Sequence, residues 1–209
     1  KQSAAVRAKS VYLPNGVEPA GPAPGSDELV RFGLEPGRYL LAVGRLTPEK
    51  GFDVLIDAFR TAAPAGCKLA IVGGVDNEDA YSAALRARAA GLPVAFTGHQ
   101  TGEPLRQLFA HARLFALPSR NEGFPLVLLE AMAAGADVLV RDLPATRLVA
   151  LRPADYFEAD AELAGRLREK LAEPKPERRY DLAPFDWNRI AAETRDVFAR
   201  VVGRAGAPR

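Results

Sequence analysis

Short apolar runs alternate along the chain with longer segments in which apolar residues recur every three or four positions. Tyr39–Val43 is apolar throughout and ends at Gly44, which is typical of a strand buried on both faces. In the next segment, Gly51–Ala63, four apolar residues stand at the helical spacing i, i+3, i+4 and i+7: Phe52, Leu55, Ile56 and Phe59. The pattern therefore predicts a strand, a loop and a helix.

This unit recurs and predicts an α/β fold. Further strands are predicted at Lys68–Val72, Val94–Thr97, Leu114–Leu117 and Asp137–Val140. Further helices are predicted at Asp79–Ala90, Glu103–His111 and Pro125–Ala134. Alternating strands and helices favour parallel βαβ units, so we expect a Rossmann-like, doubly wound parallel sheet with helices on both faces.

The flanking segments are less regular. We predict a strand at Val11–Leu13, a Pro- and Gly-rich loop or linker over residues 18–26, a helix at Ala161–Leu171 and a closing helix over residues 186–202. Asp186 is placed to act as the N-cap of the closing helix. We expect residues 1–209 to form one domain.

Composition excludes several classes of protein. The formal charge of +2 gives no reason to expect a nucleic-acid partner, and no apolar run approaches the roughly 18 residues of a membrane span. Cys67 is the single cysteine, so an intramolecular disulfide is excluded and a reducing compartment is favoured. We therefore predict a cytoplasmic protein.

The loops that follow the predicted strands begin at Gly44, Gly73, Gly98 and Pro118, and they should share one rim of the sheet. The first loop carries Arg45 and Lys50 between flanking glycines, which suits a phosphate group because the backbone can approach it closely. A cation about 4 Å from a phosphate is worth roughly 4 kcal/mol at an effective dielectric of 20. The alternative is a solvated basic loop.

The loop that begins at Pro118 leads into a helix that we expect to begin with Pro125. The amides of Leu126, Val127 and Leu128 would then be free to bind an anion, since the first turn of a helix lacks internal acceptors. Glu122 and Glu130 would face the same pocket, where carboxylates suit sugar hydroxyls better than a phosphate. The alternative is one glutamate favoured by the helix dipole and a second on the surface.

Four stretches in this order resemble family 4 glycosyltransferases of GT-B architecture. The two signature stretches are Ala42–Asp53 and Pro118–Gly135, in which Glu122 and Glu130 match the family's pair of glutamates separated by seven residues. Leu13–Glu18 resembles the segment after the crossover between the two domains, and Phe185–Trp187 resembles the start of the closing helix.

The resemblance implies the donor half of a retaining glycosyltransferase that uses a UDP- or GDP-hexose such as GDP-mannose, without a metal or other cofactor. Arg45 and Lys50 would neutralise the leaving diphosphate, and Glu122 would contact the donor sugar, which makes these three the catalytic candidates. Glu130 would bind the ribose. His99 would lie near the base, although an ordinary loop histidine is an equal alternative. The full substrate-binding set is Gly44, Arg45, Lys50, Gly74, His99, Glu122, Gly123, Phe124, Leu126, Val127 and Glu130.

The resemblance also implies an N-terminal domain, absent from these residues, that binds a sugar, lipid or polysaccharide acceptor and leaves room for peripheral contact with the inner face of a membrane. We expect no transfer by these residues alone. Two positions depart from the family pattern, since Pro144-Ala145 and Leu148 stand where a Pro-Gly pair and a glutamate are usual. The alternatives are therefore a non-catalytic nucleotide-sugar-binding module and a UDP-sugar epimerase.

Overall fold

The computed structural model describes residues 10–19, 21, 24–75 and 79–205, with side chains described as far as Val202. Two compact units are distinguished. Residues 20–180 form the larger unit, and residues 1–19 together with 181–209 form the smaller one.

The larger unit is built on a six-stranded sheet in which all neighbouring strands are parallel. Its strands are β1 (Tyr39–Val43), β2 (Lys68–Val72), β3 (Val94–Gly98), β4 (Leu114–Leu117), β5 (Val138–Arg141) and β6 (Tyr156–Phe157). They lie in the order β3-β2-β1-β4-β5-β6. Strands β2 and β3 therefore lie on one side of β1, and strands β4, β5 and β6 lie on the other side.

The helices of this unit are α1 (Asp27–Val30), α2 (Phe52–Ala62), α3 (Ala80–Arg88), α4 (Gly102–His111), α5 (Leu126–Ala133) and α6 (Asp160–Ala172). Short 3-10 helices lie at Pro48–Lys50, Thr146–Leu148 and Pro153–Asp155. The predicted α/β fold is confirmed, with boundaries that differ by one or two residues from those expected.

Both faces of the sheet are covered, because all five residues of β1 are buried. On one face, Phe52, Leu55 and Ile56 of α2 pack in a single cluster with Leu163 and Leu167 of α6. On the other face, the Tyr39 hydroxyl donates a 2.7 Å hydrogen bond to the carbonyl of Leu108 in α4. The continuous apolar runs that predicted the strands thus reflect burial from both sides.

Three elements differ from the sequence prediction. Val11–Leu13 forms no strand, and Val11 and Tyr12 are exposed. β6 and α1 were not predicted, because two- and four-residue elements are too short to show a hydrophobic period. Within the predicted loop at 18–26, residues 20, 22 and 23 lie outside the described residues, and the others belong to no helix or strand.

The smaller unit contains a 3-10 helix at Ala183–Phe185 and the closing helix α7 (Trp187–Ala205). Asp186 caps α7 as predicted, since its Oδ1 accepts a 3.0 Å hydrogen bond from the amide of Arg189. Gly16 lies against α7, since a Cβ at Gly16 would lie 2.5 Å from Cδ2 of Trp187. In the part of the chain that the structure describes, no helix has the length and hydropathy needed to cross a membrane.

Candidate functional site

The strand order places the reversal of the sheet between β1 and β4, and ligands of doubly wound folds bind at that point. The two loops that follow these strands are in direct contact. Gly51 has φ +67°, and a Cβ there would lie 2.5 Å from the carbonyl oxygen of Pro118. The amide of Arg120 donates a 2.7 Å hydrogen bond to the carbonyl of Glu49. Only glycine fits position 51, so this residue permits the two loops to meet.

A side-chain clamp also joins the two loops. Arg120 donates to both carboxylate oxygens of Asp53, at 3.1 and 2.8 Å, and to the carbonyl of Pro48. The Tyr81 hydroxyl donates to Asp53 at 3.1 Å. Burial acts to raise the pKa of Asp53, but the hydrogen bonds from Arg120 and Tyr81 outweigh it, so the pKa lies below its usual range. Burial of the Tyr81 hydroxyl, together with the charge of Asp53, raises the pKa of Tyr81 to about 12.

Lys50 and Glu122 form an ion pair across the two loops, with Nζ 2.7 Å from Oε1. Their side chains are only 20% and 8% exposed, so the pair is shielded from bulk water. Lys50 follows β1 and Glu122 follows β4, and the two residues are 72 positions apart in sequence. The structure therefore brings together Lys50, a residue predicted to bind phosphate, and Glu122, a residue predicted to bind the sugar.

Arg45 and Glu130 stand apart from this pair. Both side chains are exposed, and among the described residues neither forms a hydrogen bond or an ion pair. Although the Glu130 side chain reaches solvent, burial of its carboxyl group among nearby protein atoms raises its pKa. Both charged groups are thus available to a ligand.

The loops after β2 and β3 continue the rim. Gly73 has φ +144°, and a Cβ there would lie 1.9 Å from the carbonyl oxygen of Gly44, so the first two loops touch through backbone atoms. The amide of Leu46 donates to the carbonyl of Gly74 at 3.1 Å. A Cβ on Gly74 would lie 3.9 Å from the Cβ of His99. Gly44, Gly74 and the exposed His99 therefore belong to one continuous edge.

The start of α5 differs in detail from the expectation. Pro125 lies one residue before the helix, and the amides of Leu126 and Leu128 already donate to the carbonyls of Phe124 and Pro125, both at 3.0 Å. The prediction that these two amides are free is wrong, because the chain forms a tight turn as it enters the helix. The Val127 amide makes no hydrogen bond with a described residue, and a Cβ at Gly123 would meet nothing within 4 Å.

Sequence reasoning missed Asp53 and Arg120, which hold the loops in place. Asp53 is the second residue of a helix and Arg120 lies in a signature loop, but no local pattern links them. It also missed Ser119, which is fully buried with a side-chain oxygen that has no hydrogen-bond partner among the described residues.

The two departures from the family pattern have ordinary local geometry. Ala145 has φ −71° and ψ −38°, so it needs none of glycine's conformational freedom. Leu148 is exposed. Asp79 caps α3 by accepting a 2.8 Å hydrogen bond from the amide of Ser82. His111 contacts the carbonyl of Gly25 at 2.9 Å, in keeping with a structural role. Within the described part of the chain, no cluster of three or more His, Cys, Asp or Glu side chains could hold a metal ion.

Comparison with known sequences gives one family. A sequence model described as "Glycosyl transferases group 1" matches residues 37–169, which is more than half of the chain. Mannosylfructose-phosphate synthase of Agrobacterium fabrum is 38% identical over 120 residues, which cover 53% of this chain and 26% of that enzyme. GDP-mannose:cellobiosyl-diphosphopolyprenol alpha-mannosyltransferase of Komagataeibacter xylinus is 30% identical over 185 residues, covering 81% of this chain and 47% of that enzyme.

Solved structures share the fold. HepE of Anabaena, in complex with UDP and glucose, superposes with a TM-score of 0.75 at 22% identity, covering 90% of this chain and 56% of that one. Sucrose-phosphate synthase of Thermosynechococcus elongatus gives a TM-score of 0.74 at 23% identity, with 92% and 52% covered. The chain thus spans about half the length of these two structures.

Proposed function

Because the chain belongs to the group 1 glycosyltransferase family, we propose that it binds the donor of a retaining hexosyl transfer, a UDP- or GDP-hexose. The observation that carries this proposal is the meeting of two charged loops at the reversal of the sheet, through the 2.7 Å contact between Lys50 and Glu122. The name of the Komagataeibacter relative includes GDP-mannose, and HepE was solved with UDP, so a donor with either nucleotide is consistent with these similarities.

In this proposal Arg45 and Lys50 bind the diphosphate. Lys50 is already neutralised by Glu122, so the exposed Arg45, whose side chain has no hydrogen bond or ion pair among the described residues, supplies the first cation that the diphosphate meets. Lys50 then shares its three N–H donors between Glu122 and a phosphate oxygen. When the bond between the anomeric carbon and the diphosphate oxygen breaks, the leaving group gains negative charge that both cations stabilise.

Glu122 would orient the donor sugar. Its Oε1 accepts from Lys50, which leaves Oε2 to accept a hydrogen bond from a sugar hydroxyl. The ion pair fixes the carboxylate before the donor binds, so little side-chain entropy is lost on binding. Lys50 and Glu122 would in this way act together, one on the diphosphate and the other on the hexose.

Glu130 would bind the ribose hydroxyls, since its carboxylate is accessible and unpaired among the described residues. Gly74 and His99, at the far end of the rim, would contact the base. Gly44, Gly123, Phe124, Leu126 and Val127 would line the donor through their backbone. The Leu126 amide would contribute only by leaving its present bond to the carbonyl of Phe124.

The acceptor and the rest of the catalytic apparatus would come from the additional length that the relatives possess, and we propose that no metal ion takes part. A cytoplasmic location, with any membrane contact made by that additional length, completes the proposal. The exposed Leu148 favours one second candidate, a nucleotide-sugar-binding module without catalysis, because the glutamate usual at this position is lost.

Isothermal titration of the 209-residue chain with UDP, GDP, ADP and inorganic pyrophosphate tests the donor site. We expect UDP or GDP to bind, and Arg31→Ala to bind it equally well, because Arg31 is an exposed arginine that contacts Glu28 and Phe32, away from the rim. Failure of every nucleotide to bind would overturn the proposal. A transfer assay on a protein that joins this chain to the additional length of its relatives separates the two candidates, since binding without turnover would leave only the second.

A further inference from the structure

The loops that begin at Gly44, Gly73, Gly98 and Pro118 form the edge of the sheet that is here named the donor rim. A cavity lies at the opposite end of the sheet. It has a volume of about 370 Å³ and is lined by residues that directly precede three strands: Arg38 before β1, Cys67 before β2 and Arg113 before β4. Arg168 of α6 and the end of α2 at Ala62 complete its wall. Because strands β1 and β2 are five residues long, about 16 Å separate this cavity from the loops at their carboxyl ends.

The side chains that line the cavity carry only positive charge. Arg38, Arg113 and Arg168 line it, and no carboxylate does. The carboxyl ends of α2 and α6 oppose this charge, but each helix end contributes only about half a negative charge. Glu35 lies 3.8 Å from Arg38 and offsets one more positive charge. Three guanidinium groups still exceed one carboxylate and two helix ends by about one unit of charge, so the cavity attracts anions.

Arg113 supplies an independent observation. It is 8% exposed, and its Nη2 donates to the carbonyls of Lys170 and Glu173, whereas its Nη1 is buried and has no hydrogen-bond partner among the described residues. A buried, unpaired N–H of a charged group is costly, and native proteins rarely leave one without a ligand or water. Arg113 lines the cavity, so an anion there that reached Nη1 would supply the missing acceptor.

We propose that this cavity binds the phosphate group of a small phosphorylated molecule. The guanidinium of Arg113 would form the base of the site. The exposed side chains of Arg38 and Arg168 donate to the carbonyls of Gly66 and Thr61, and their remaining N–H groups would bind the phosphate oxygens. The cavity is larger than a phosphate ion needs and lies within the size range of small-ligand pockets. Ala62, Leu171 and Ala172 provide an apolar wall for the remainder of the molecule.

Cys67 makes the site directly measurable, because it is the only thiol of the chain and lines the cavity. The test is the rate of alkylation of Cys67 by the neutral reagent iodoacetamide, at fixed pH and ionic strength, with glucose 6-phosphate, inorganic phosphate or glucose. At a ligand concentration ten times Kd, about one protein in eleven is free, so alkylation slows about tenfold. We expect both phosphates to protect and glucose to have no effect.

Protection by glucose, or by neither phosphate, would overturn the proposal, and protection by inorganic phosphate alone would overturn the assignment to a phosphorylated small molecule. The variant Arg38→Gln/Arg168→Gln should raise the protecting concentration at least about tenfold, since each charge-assisted bond is worth at least one factor of ten. Arg31→Gln is the matched control, because Arg31 and Arg38 are each 62% exposed and each pairs with a glutamate three positions before it. An equal loss in the control would also overturn the proposal.

Loss of Arg38 also changes the reactivity of the Cys67 thiol itself, because the charge of Arg38 acts on that thiol. Protection is therefore expressed, for each variant, as the ratio of the alkylation rates with and without ligand. Lys50→Gln separates this site from the donor rim: it should weaken nucleotide binding and leave protection of Cys67 unchanged. Loss of protection in Lys50→Gln would show that the phosphate acts from the rim and would overturn the proposal. A circular-dichroism melt of each variant confirms that the fold is retained.

Discussion

Lys50 and Glu122 lie on different loops, 72 residues apart, and form a shielded ion pair 2.7 Å long. The contact makes each side chain the positioning partner of the other. Loss of Lys50 would leave a nearly buried carboxylate without its counter-ion, whereas loss of both charges would remove that penalty.

We therefore expect Lys50→Ala to lower the free energy of unfolding by about 1–3 kcal/mol, the cost of an unsatisfied charged group. Lys50→Ala/Glu122→Gln should recover part of this loss. Urea denaturation of the two single variants and the double variant gives the coupling energy. Strictly additive effects would contradict the pairing, and Arg31→Ala, which breaks an exposed pair, supplies the surface reference.

Arg45→Ala should separate binding from stability. The side chain is exposed and makes no hydrogen bond or ion pair among the described residues, so the free energy of unfolding should change by less than about 0.5 kcal/mol. Affinity for UDP or GDP should fall at least about tenfold, because one cation near the diphosphate is lost. Isothermal titration measures the second effect, and unchanged affinity in both Arg45→Ala and Lys50→Ala would exclude the diphosphate site.

Glu130→Ala should weaken nucleotide binding more than inorganic pyrophosphate binding, since pyrophosphate lacks a ribose. Paired titrations of UDP or GDP and of pyrophosphate, in the variant and the unaltered chain, measure the two losses. Equal losses for the two kinds of ligand would argue against a ribose contact.

The same residue predicts a pH dependence, because burial raises the pKa of Glu130 in the folded state. The folded protein holds this proton more tightly than the unfolded chain, so the stabilising contribution is present at low pH and is lost as the pH rises through the folded-state pKa. Glu130→Gln should therefore gain stability relative to the unaltered chain at neutral pH and not at pH 4. Thermal melts at the two pH values provide the comparison, and a constant difference would contradict it.

Asp53→Asn should weaken the clamp between the loops. It removes the charge to which Arg120 and Tyr81 donate, and we expect a loss of about 1–2 kcal/mol at pH 7. Because the pKa of Asp53 is lowered by folding, its contribution is present at neutral pH and is lost as the pH falls through the folded-state value. Urea denaturation at pH 7 and pH 3 measures this change, and Tyr81→Phe, which removes one hydrogen bond, should have the smaller effect.

Gly51→Ala should be more destabilising than Gly91→Ala, although both glycines have positive φ. An alanine Cβ at position 51 would lie 2.5 Å from the Pro118 carbonyl oxygen, whereas one at position 91 would meet nothing within 4 Å. The control variant should cost about 1 kcal/mol in backbone strain alone. Denaturation midpoints give the difference, and equal losses would show that the loops can separate freely.

The fold could be predicted from the sequence because each central strand is a local apolar run. The signature loops could also be located, since glycine and charge are local signals. The pairing of Lys50 with Glu122 could not, because it depends on which strands are neighbours and β1 lies beside β4 only in the folded sheet. For the same reason, no sequence signal marks Arg113, because its contact with the end of α6 arises only in the folded chain. The same holds for its Nη1, which has no hydrogen-bond partner among the described residues.

At Val11–Leu13 the sequence predicted an element that the structure does not contain. Its apolar residues suggested a strand, yet Val11 and Tyr12 are exposed and belong to no sheet. Three apolar residues carry too little periodicity to distinguish a buried strand from an exposed segment.

Helix α2 has a mechanical consequence for the larger unit. Asp53, near its first residue, belongs to the clamp at the donor rim, and Ala62, its last residue, forms part of the wall of the arginine-lined cavity. Eleven residues of continuous α-helix form a stiff rod about 16 Å long. The helix therefore holds the clamp residue and the cavity-wall residue at a fixed separation, so neither can shift along the helix axis without the other.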